Sequence, residues 1–107
     1  MAFIVHDVSL ELIAELAPLI PSIARHDKNL AQQLRRCASS IVLNIAEGNV
    51  SDPGTKRARF HDAAGSANET RAALEVATSW RYVSRQQART SLVLVDRVVA
   101  MLWKLTH

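Results

Sequence analysis

Apolar side chains recur at alternating spacings of three and four residues along almost the whole of this chain. That spacing places them on one face of an α-helix, because a helix completes a turn in about 3.6 residues. Short polar stretches, or stretches with glycine and proline, interrupt the pattern three times. The pattern therefore predicts four helices, over about residues 8–24, 28–47, 55–83 and 86–105.

The first predicted helix, over residues 8–24, contains two prolines that oppose a straight rod. Asp7 precedes it and is a suitable N-cap. Its apolar face comprises Leu12, Leu16, Leu19 and Ile23. Pro18 and Pro21 each remove an amide donor and crowd the carbonyl group four residues earlier. We therefore expect either a kink near these prolines or two short helices.

The second predicted helix, over residues 28–47, has a seam that is typical of a helical bundle. Asp27 is placed to cap its start, and Gly48 is placed to cap its end in a left-handed conformation. The seam positions, at spacings of four, three, four, three and four, are Leu30, Leu34, Cys37, Ile41, Asn44 and Gly48. The loop that follows is predicted to cover residues 48–54.

The third and fourth predicted helices each carry two apolar rows. Those of the third are Phe60, Ala63, Ala67, Thr70, Leu74 and Ala77, and beside them Ala73, Val76, Trp80 and Val83. Those of the fourth are Leu92, Val95, Val99 and Leu102, and beside them Leu94, Val98, Met101 and Leu105, with Val93 and Trp103 outside both rows. So wide an apolar surface exceeds the need of one small bundle, which indicates that another copy of the chain covers part of it.

Four helices with short connections pack as antiparallel neighbours. We therefore predict an all-α fold, an antiparallel up-down-up-down four-helix bundle, as a single domain over residues 1–107. Aromatic residues make up 5% of the chain, with three glycines and three prolines. So few turn-forming residues argue against a β-sandwich or barrel.

The sequence predicts neither export nor membrane insertion. Acidic residues at Asp7, Glu11 and Glu15 interrupt its beginning and no basic segment leads it, which is unlike a signal peptide. No run approaches the roughly 18 apolar residues of a membrane span. The single cysteine, Cys37, can form no intramolecular disulfide and is expected to be a buried core thiol. We expect a cytoplasmic protein.

The formal net charge of +3 is distributed unevenly. Residues 1–27 contain four acids and one base, a net −3, whereas residues 28–107 contain twelve bases and six acids, a net +6. Two basic clusters contribute to this field: Lys56, Arg57 and Arg59, and Arg81, Arg85 and Arg89, with Trp80 and Tyr82 beside the second. Basic side chains beside aromatic rings can bind nucleic acid, although Trp80 also fits an apolar row and is interpreted as a core residue. A solvated surface is the alternative interpretation of the charge.

Polar residues on the second and third predicted helices form two rows that can face each other. The rows are Arg36, Ser40, Asn44 and Glu47, and Asp62, Ser66 and Glu69. Arg36 can pair with Glu69, and Asn44 can bond the backbone of the third helix. We predict a structural polar network of Arg36, Ser40, Asn44, Glu47 and Glu69 that fixes helix register. A ligand or partner site and acid–base catalysis are the alternatives, and catalysis would need a cleft that the pattern does not predict.

The four histidines, His6, His26, His61 and His107, are interpreted as surface residues. His26 and His61 each precede an aspartate, but adjacent residues point about 100° apart on a helix and form no dyad. The sequence contains no metal-ligand spacing and no glycine-rich phosphate loop. We therefore predict no catalytic, cofactor-binding or metal-binding residues, no cofactor, and a protein that is not an enzyme.

One segment resembles a known family. Residues 33–48 read Gln-Leu-Arg-Arg-Cys-Ala-Ser-Ser-Ile-Val-Leu-Asn-Ile-Ala-Glu-Gly, and an aromatic residue, Ala-Gly-Ser and a glutamate follow at Phe60, Ala64, Gly65, Ser66 and Glu69. These motifs are similar to the signature of the four-helix bundle family that includes the proteins encoded in 23S ribosomal RNA intervening sequences. Cys37 replaces the usual alanine, and residues 49–54 lack the Gly-Arg and serines that the family often has there.

The resemblance covers essentially the whole chain and implies a left-turning four-helix bundle that forms a homo-oligomer, with a pentamer favoured. One branch of the family comprises accessory proteins of diversity-generating retroelements, which bind a reverse transcriptase and RNA through a basic ring. We predict a non-enzymatic oligomeric scaffold or protein-interaction module. The alternative is a basic oligomeric nucleic-acid-binding or reverse-transcriptase accessory protein, whose partner would be RNA or a nucleic-acid-processing protein.

Overall fold

The computed structural model of the chain describes residues 2–107, and the fold over these residues is all-α. The five helices are Ala2–Leu16 (α1), Leu19–Ala24 (α2), Lys28–Asn49 (α3), Pro53–Ser79 (α4) and Arg85–Thr106 (α5). The molecule is elongated, with extents of 42 × 22 × 20 Å. None of the helices within residues 2–107 is both long enough and apolar enough to cross a membrane.

The first predicted helix is two helices that begin earlier than expected. Helix α1 begins at Ala2, so Asp7 lies inside it and the prediction that Asp7 is an N-cap is wrong. Val5 and Val8 extend the apolar face and are buried, and this burial stabilises the added turns. Of the two predicted alternatives, a kink or two short helices, the structure has two helices. The first ends at Leu16 and the second begins at Leu19, around Pro18.

Helix α3 begins as predicted and ends later. The Asp27 side chain caps it, since Oδ1 accepts a hydrogen bond from the Leu30 amide at 2.9 Å. Gly48 is a buried residue inside the helix with no left-handed backbone, so the prediction that it is a C-cap is wrong. Its role is steric, because a Cβ atom added there would lie 2.6 Å from Cε1 of the Phe60 ring.

Helix α4 is displaced towards the start of the chain relative to its prediction. Asp52 caps it and Pro53 occupies its first turn, so the preceding loop is only residues 50–52. The helix ends at Ser79, and Arg81 then adopts a left-handed backbone with φ of 65°. Trp80 is 68% exposed, so the interpretation of Trp80 as a core residue is wrong. The predicted row already leaves the core at Val76, which is 42% exposed, whereas Val83 after the turn is buried in the core.

Helix α5 begins with a capping box, in which Ser84 and Gln87 each bond the other's backbone amide. Its core face includes Leu94, Val95, Val98 and Leu102, all buried. The outer members of the two predicted rows, Leu92, Val99, Met101 and Leu105, are half-buried. Val93 and Trp103, which lie outside both rows, are 55% and 59% exposed.

Contacts between helices give their relative directions. Helix α3 meets α4 through Ser40 with Ser66 and through Glu47 with Arg59. Helix α4 meets α5 through Arg57 with Thr106 and through Arg71 with Asp96. From one contact to the next, the residue number rises in one helix and falls in the other. Helices α3 and α4 are therefore antiparallel, and so are α4 and α5.

The elongated molecule has two ends, called the Tyr82 end and the Thr106 end. At the Tyr82 end, the connection between α4 and α5 meets the connection between α2 and α3, since Tyr82 stacks on His26. At the Thr106 end, the start of α4 meets the end of α5, since Arg57 contacts Thr106.

Candidate functional site

The polar rows predicted for the second and third helices meet between α3 and α4. The Ser66 hydroxyl lies 2.9 Å from Ser40 Oγ and joins the two helices. Asn44 donates from Nδ2 to the Ser40 carbonyl and hydroxyl oxygens, both at 3.0 Å. The Asn44 amide therefore bonds the backbone of its own helix, and the predicted bond to the backbone of the facing helix is wrong. This cluster links neighbouring turns and places α4 against α3.

The charged members of the rows lie on the surface. Glu47 Oε2 is 3.2 Å from Arg59 Nε, and Arg59 is also 3.7 Å from Asp62. All three side chains are substantially exposed, and exposed ion pairs of this kind contribute only about 0–1 kcal/mol. Glu69 accepts a hydrogen bond from Gln33 at 3.4 Å. Arg36 is exposed, and no carboxylate of residues 2–107 lies within 4 Å of it, so the expected Arg36–Glu69 pair is not formed.

The surface around these residues is open. Arg36, Ser40, Asn44 and Glu47 line a shallow trough together with Leu43, and every residue that lines it belongs to α3. A trough on one helix has no opposing wall, so it excludes little water from a bound molecule. Acid–base chemistry gains most from a closed site, because charge interactions are strong only where water is excluded.

The two predicted basic clusters lie at opposite ends of the molecule. Arg57 and Arg81 are 24 positions apart along α4 and its cap, which corresponds to about 36 Å at 1.5 Å per residue. In the first cluster, at the Thr106 end, Arg57 donates to the Thr106 carbonyl at 3.1 Å and Arg59 pairs with Glu47. A cation at the last carbonyls of a helix is favourable, which gives Arg57 a structural role.

The second cluster, at the Tyr82 end, is free of such contacts. Arg81, Arg85 and Arg89 are all exposed, and no carboxylate of the described residues lies within 4 Å of them. Arg81 and Arg85 line an open depression of about 520 Å³ with Tyr82 and Gln87. This end is therefore the stronger candidate for an anion-binding surface.

Aromatic rings accompany the second cluster. The Tyr82 and His26 rings are stacked, with centroids 5.0 Å apart and planes 3° apart. The Trp80 and Tyr82 rings are nearly parallel, with centroids 6.3 Å apart and planes 13° apart. Trp80 and Tyr82 are recognisable in the sequence beside the arginines. His26 is not, because only the packing of α2 and α3 against the α4–α5 turn brings it there.

Three of the four histidines lie on the surface as predicted, and Cys37 is buried as predicted. His26, His61 and His107 are exposed and His6 is half-buried, and no three metal-binding side chains among the described residues converge. Cys37 is a buried free thiol, with Sγ 3.2 Å from Thr70 Oγ1. Burial raises the pKa of the Cys37 thiol, which disfavours the reactive thiolate.

A solved structure shares the fold of this chain. It is a protein with unknown function from the S23 ribosomal protein family of Bacteroides thetaiotaomicron VPI-5482, with 24% sequence identity and a TM-score of 0.87. The match covers 95% of this chain and 97% of the other. At this identity the likeness shows the fold alone. No curated protein matches the chain.

Residues 3–104, nearly the whole of the described fold, match the family described as 23S rRNA-intervening sequence protein. The α3 segment from Gln33 to Gly48 and its contacts with α4 through Ser66 lie within that match. The chain therefore belongs to the 23S rRNA-intervening sequence protein family.

Proposed function

We propose that this chain is a non-enzymatic homo-oligomer that acts as a scaffold or protein-interaction module. The observation that carries the proposal is an apolar edge between α1 and α5 at the Thr106 end. Phe3 and Ile4 are 76% and 53% exposed there. Ile4 lines an apolar hollow of about 220 Å³ with Met101, Leu105 and the stem of Lys104. Large apolar side chains that cluster on a surface mark an interaction site.

A second copy of the chain is the occupant that the proposal assigns to this edge. The family resemblance described above favours a pentamer. Charge also favours association between unlike faces, because Asp7, Glu11 and Glu15 form an exposed acidic row on α1 while residues 28–107 carry a net +6. Contacts between unlike faces of identical chains form a ring when the rotation from one chain to the next closes. The proposal includes an up-down-up-down arrangement of the whole bundle, which the antiparallel α3–α4 and α4–α5 pairs support.

Light scattering coupled to size-exclusion chromatography tests this proposal. A pentamer has five times the 11.8 kDa protomer mass, or about 59 kDa, and should persist at micromolar concentration. Ile4→Glu should shift the mass towards 11.8 kDa because it places a charge in the contact. Leu43→Glu is the matched control, since Leu43 is 64% exposed on α3, away from this edge.

A wild-type mass of 11.8 kDa at micromolar concentration would show that the chain is a monomer and that the proposal is wrong. Dissociation by Leu43→Glu but not by Ile4→Glu would move the contact to α3 and contradict the α1–α5 edge.

Nucleic-acid binding is the second candidate function, and the unpaired arginines at the Tyr82 end favour it. A ring of five chains would carry about +15, five times the +3 of one chain, and would attract phosphates. Binding that weakens steeply as salt rises would separate this function from a scaffold role without nucleic acid. An accessory role with a reverse transcriptase is one form of this candidate, and a reverse-transcriptase gene beside this one would support it.

A further inference from the structure

We propose that the Trp80 ring stacks an unpaired nucleobase while Arg81 and Arg85 hold the neighbouring phosphates, so that the Tyr82 end binds single-stranded nucleic acid. This inference rests on the second candidate function and deepens it, because it names the site and the kind of nucleic acid. It also changes the expected mode of recognition from charge alone to charge combined with stacking.

The rings at this end are already arranged as a stacking surface. His26, Tyr82 and Trp80 are nearly parallel, and Tyr82 is half-buried, which holds the set against the body of the protein. Trp80 is 68% exposed, so most of its surface is free to contact another planar group. A base can stack on such a surface without ordering further protein groups, and stacking on an aromatic ring is favourable for every base.

Positive charge lies next to the rings. Arg81 directly follows Trp80, and Arg85 lies across an open depression of about 520 Å³ that Tyr82 also lines. Glu75 and Asp96 line a neighbouring depression with Arg85, and Asp27 caps α3 through its bond from Leu30. No carboxylate of residues 2–107 lies within 4 Å of Arg81 or Arg85, however. The guanidinium groups of Arg81 and Arg85 are therefore available to phosphate, which they can bind with paired hydrogen bonds.

The backbone at Arg81 has a left-handed conformation. The Arg81 amide bonds the Thr78 carbonyl at 3.0 Å and the Tyr82 amide bonds the Ala77 carbonyl at 2.9 Å, which together form a Schellman motif. The left-handed position of this motif, here Arg81 with φ of 65°, is usually glycine because a side chain is unfavourable there. An arginine at this position, where glycine is usual, motivates the hypothesis that its side chain has a function.

Stacking on an exposed ring predicts single strands as the ligand. In a duplex the bases already stack on one another and pair, so their faces are not available to Trp80. A free strand offers a face at every base, which makes the binding tolerant of sequence and strongest where bases are large.

The chain has two tryptophans, so replacing Trp103 leaves Trp80 as the single source of tryptophan fluorescence. In Trp103→Phe, single-stranded oligoadenylate of eight nucleotides at low salt should quench the remaining tryptophan emission saturably, and a duplex of equal length should quench it much less. The matched control is Trp80→Phe. It keeps Trp103, which is 59% exposed and also stacks on a histidine, His107, but at the other end of the molecule. Its emission should not change.

Two further variants measure the contributions to affinity. Fluorescence anisotropy of a labelled oligoadenylate should show binding about 5- to 150-fold weaker for Trp80→Ala, the ratio that corresponds to losing one stacked base. Arg81→Gly should also weaken binding, while its melting temperature should equal or exceed that of wild type because glycine suits the left-handed backbone. A loss of binding in Arg81→Gly then cannot be attributed to misfolding.

Three results would contradict the proposed stacking site, and one of them would also contradict nucleic-acid binding. Salt-sensitive binding by anisotropy without quenching of Trp80 would leave nucleic-acid binding in place and remove the stacking site. No binding at low salt in either measurement would remove the second candidate function as well. If Trp80 in the free protein is shielded from acrylamide relative to Trp103, a second copy covers the ring and the site is wrong.

Discussion

At the scale of single residues, polar groups near the core each have a partner. Asn44 is half-buried, and its Nδ2 donates twice to Ser40, whose hydroxyl also contacts Ser66 on the facing helix. No buried side-chain nitrogen or oxygen atom among the described residues lacks a partner. The Asn44 bonds stay within α3, so the contact that depends on the register of α4 is the one between the Ser40 and Ser66 hydroxyls.

Asn44→Ala should lower thermal stability and leave binding properties intact. Removing two bonds and leaving the Ser40 carbonyl partly unsatisfied should cost about 1 kcal/mol, or about 4–8 °C in melting temperature for a domain near 100 residues. Differential scanning calorimetry measures this, with Asn68→Ala on the exposed face of α4 as control. An unchanged melting temperature together with loss of oligomerisation or of a partner would favour the alternative, that Asn44 belongs to a binding site.

At the scale of helices, small residues determine how closely α3 and α4 approach. Gly48 is buried inside α3, where the Phe60 ring of α4 occupies the space of a Cβ atom. Gly65 lies in α4 with nothing within 4 Å of such an atom. These two helical glycines therefore differ in function, although the sequence motif contains both. The first permits contact between helices, and the second only weakens its own helix.

Substitution of each glycine by alanine separates these roles. Gly48→Ala should destabilise the protein by about 1–3 kcal/mol, because the added methyl group overpacks against a ring that is itself buried. Gly65→Ala should stabilise it by about 0.5–1 kcal/mol through helix propensity. Chemical denaturation measures both changes. If Gly48→Ala were as stable as wild type, the close contact with Phe60 would not be the reason for glycine at this position.

At the scale of the whole molecule, the fold separates the two basic clusters. Arg57 and Arg81 lie about 36 Å apart along α4, so the two clusters form separate basic ends. The clusters also differ in their neighbours, because Arg59 at the Thr106 end pairs with Glu47 while Arg81, Arg85 and Arg89 pair with no carboxylate within the described part of the chain.

If the chain binds nucleic acid, the two clusters should contribute unequally. A triple replacement of Arg81, Arg85 and Arg89 with glutamine should weaken the binding of a short single strand and flatten its salt dependence. The matched replacement of Lys56, Arg57 and Arg59 should change binding much less and should lower stability, because it removes the contacts with Thr106 and Glu47. Anisotropy titrations over a range of salt concentrations measure both. Equal losses for the two variants would contradict the separation of roles.

The sequence determined which residues form helices and which faces are apolar. The apolar rows of residues 12–23 and 60–77 are buried as predicted, because the period of a helix fixes which side chains share a face. Asp27 could be recognised as a cap because capping is a local interaction over three residues. The motif around Asn44 likewise sufficed to suggest the family to which the chain belongs.

Only the tertiary structure decided the features that depend on distant contacts. Asp7 lies within α1 and does not cap its start, because the helix begins earlier and Val5 and Val8 are buried in the core. Gly48 lies where the Phe60 ring, twelve positions later in the chain, occupies the space of a Cβ atom. Trp80 continued an apolar row in sequence, but that row leaves the core before Trp80, since Val76 is already 42% exposed. His26 stacks on Tyr82 because α2 and α3 pack against the connection between α4 and α5. Local helix propensity contains no information about a contact between residues so far apart in the chain.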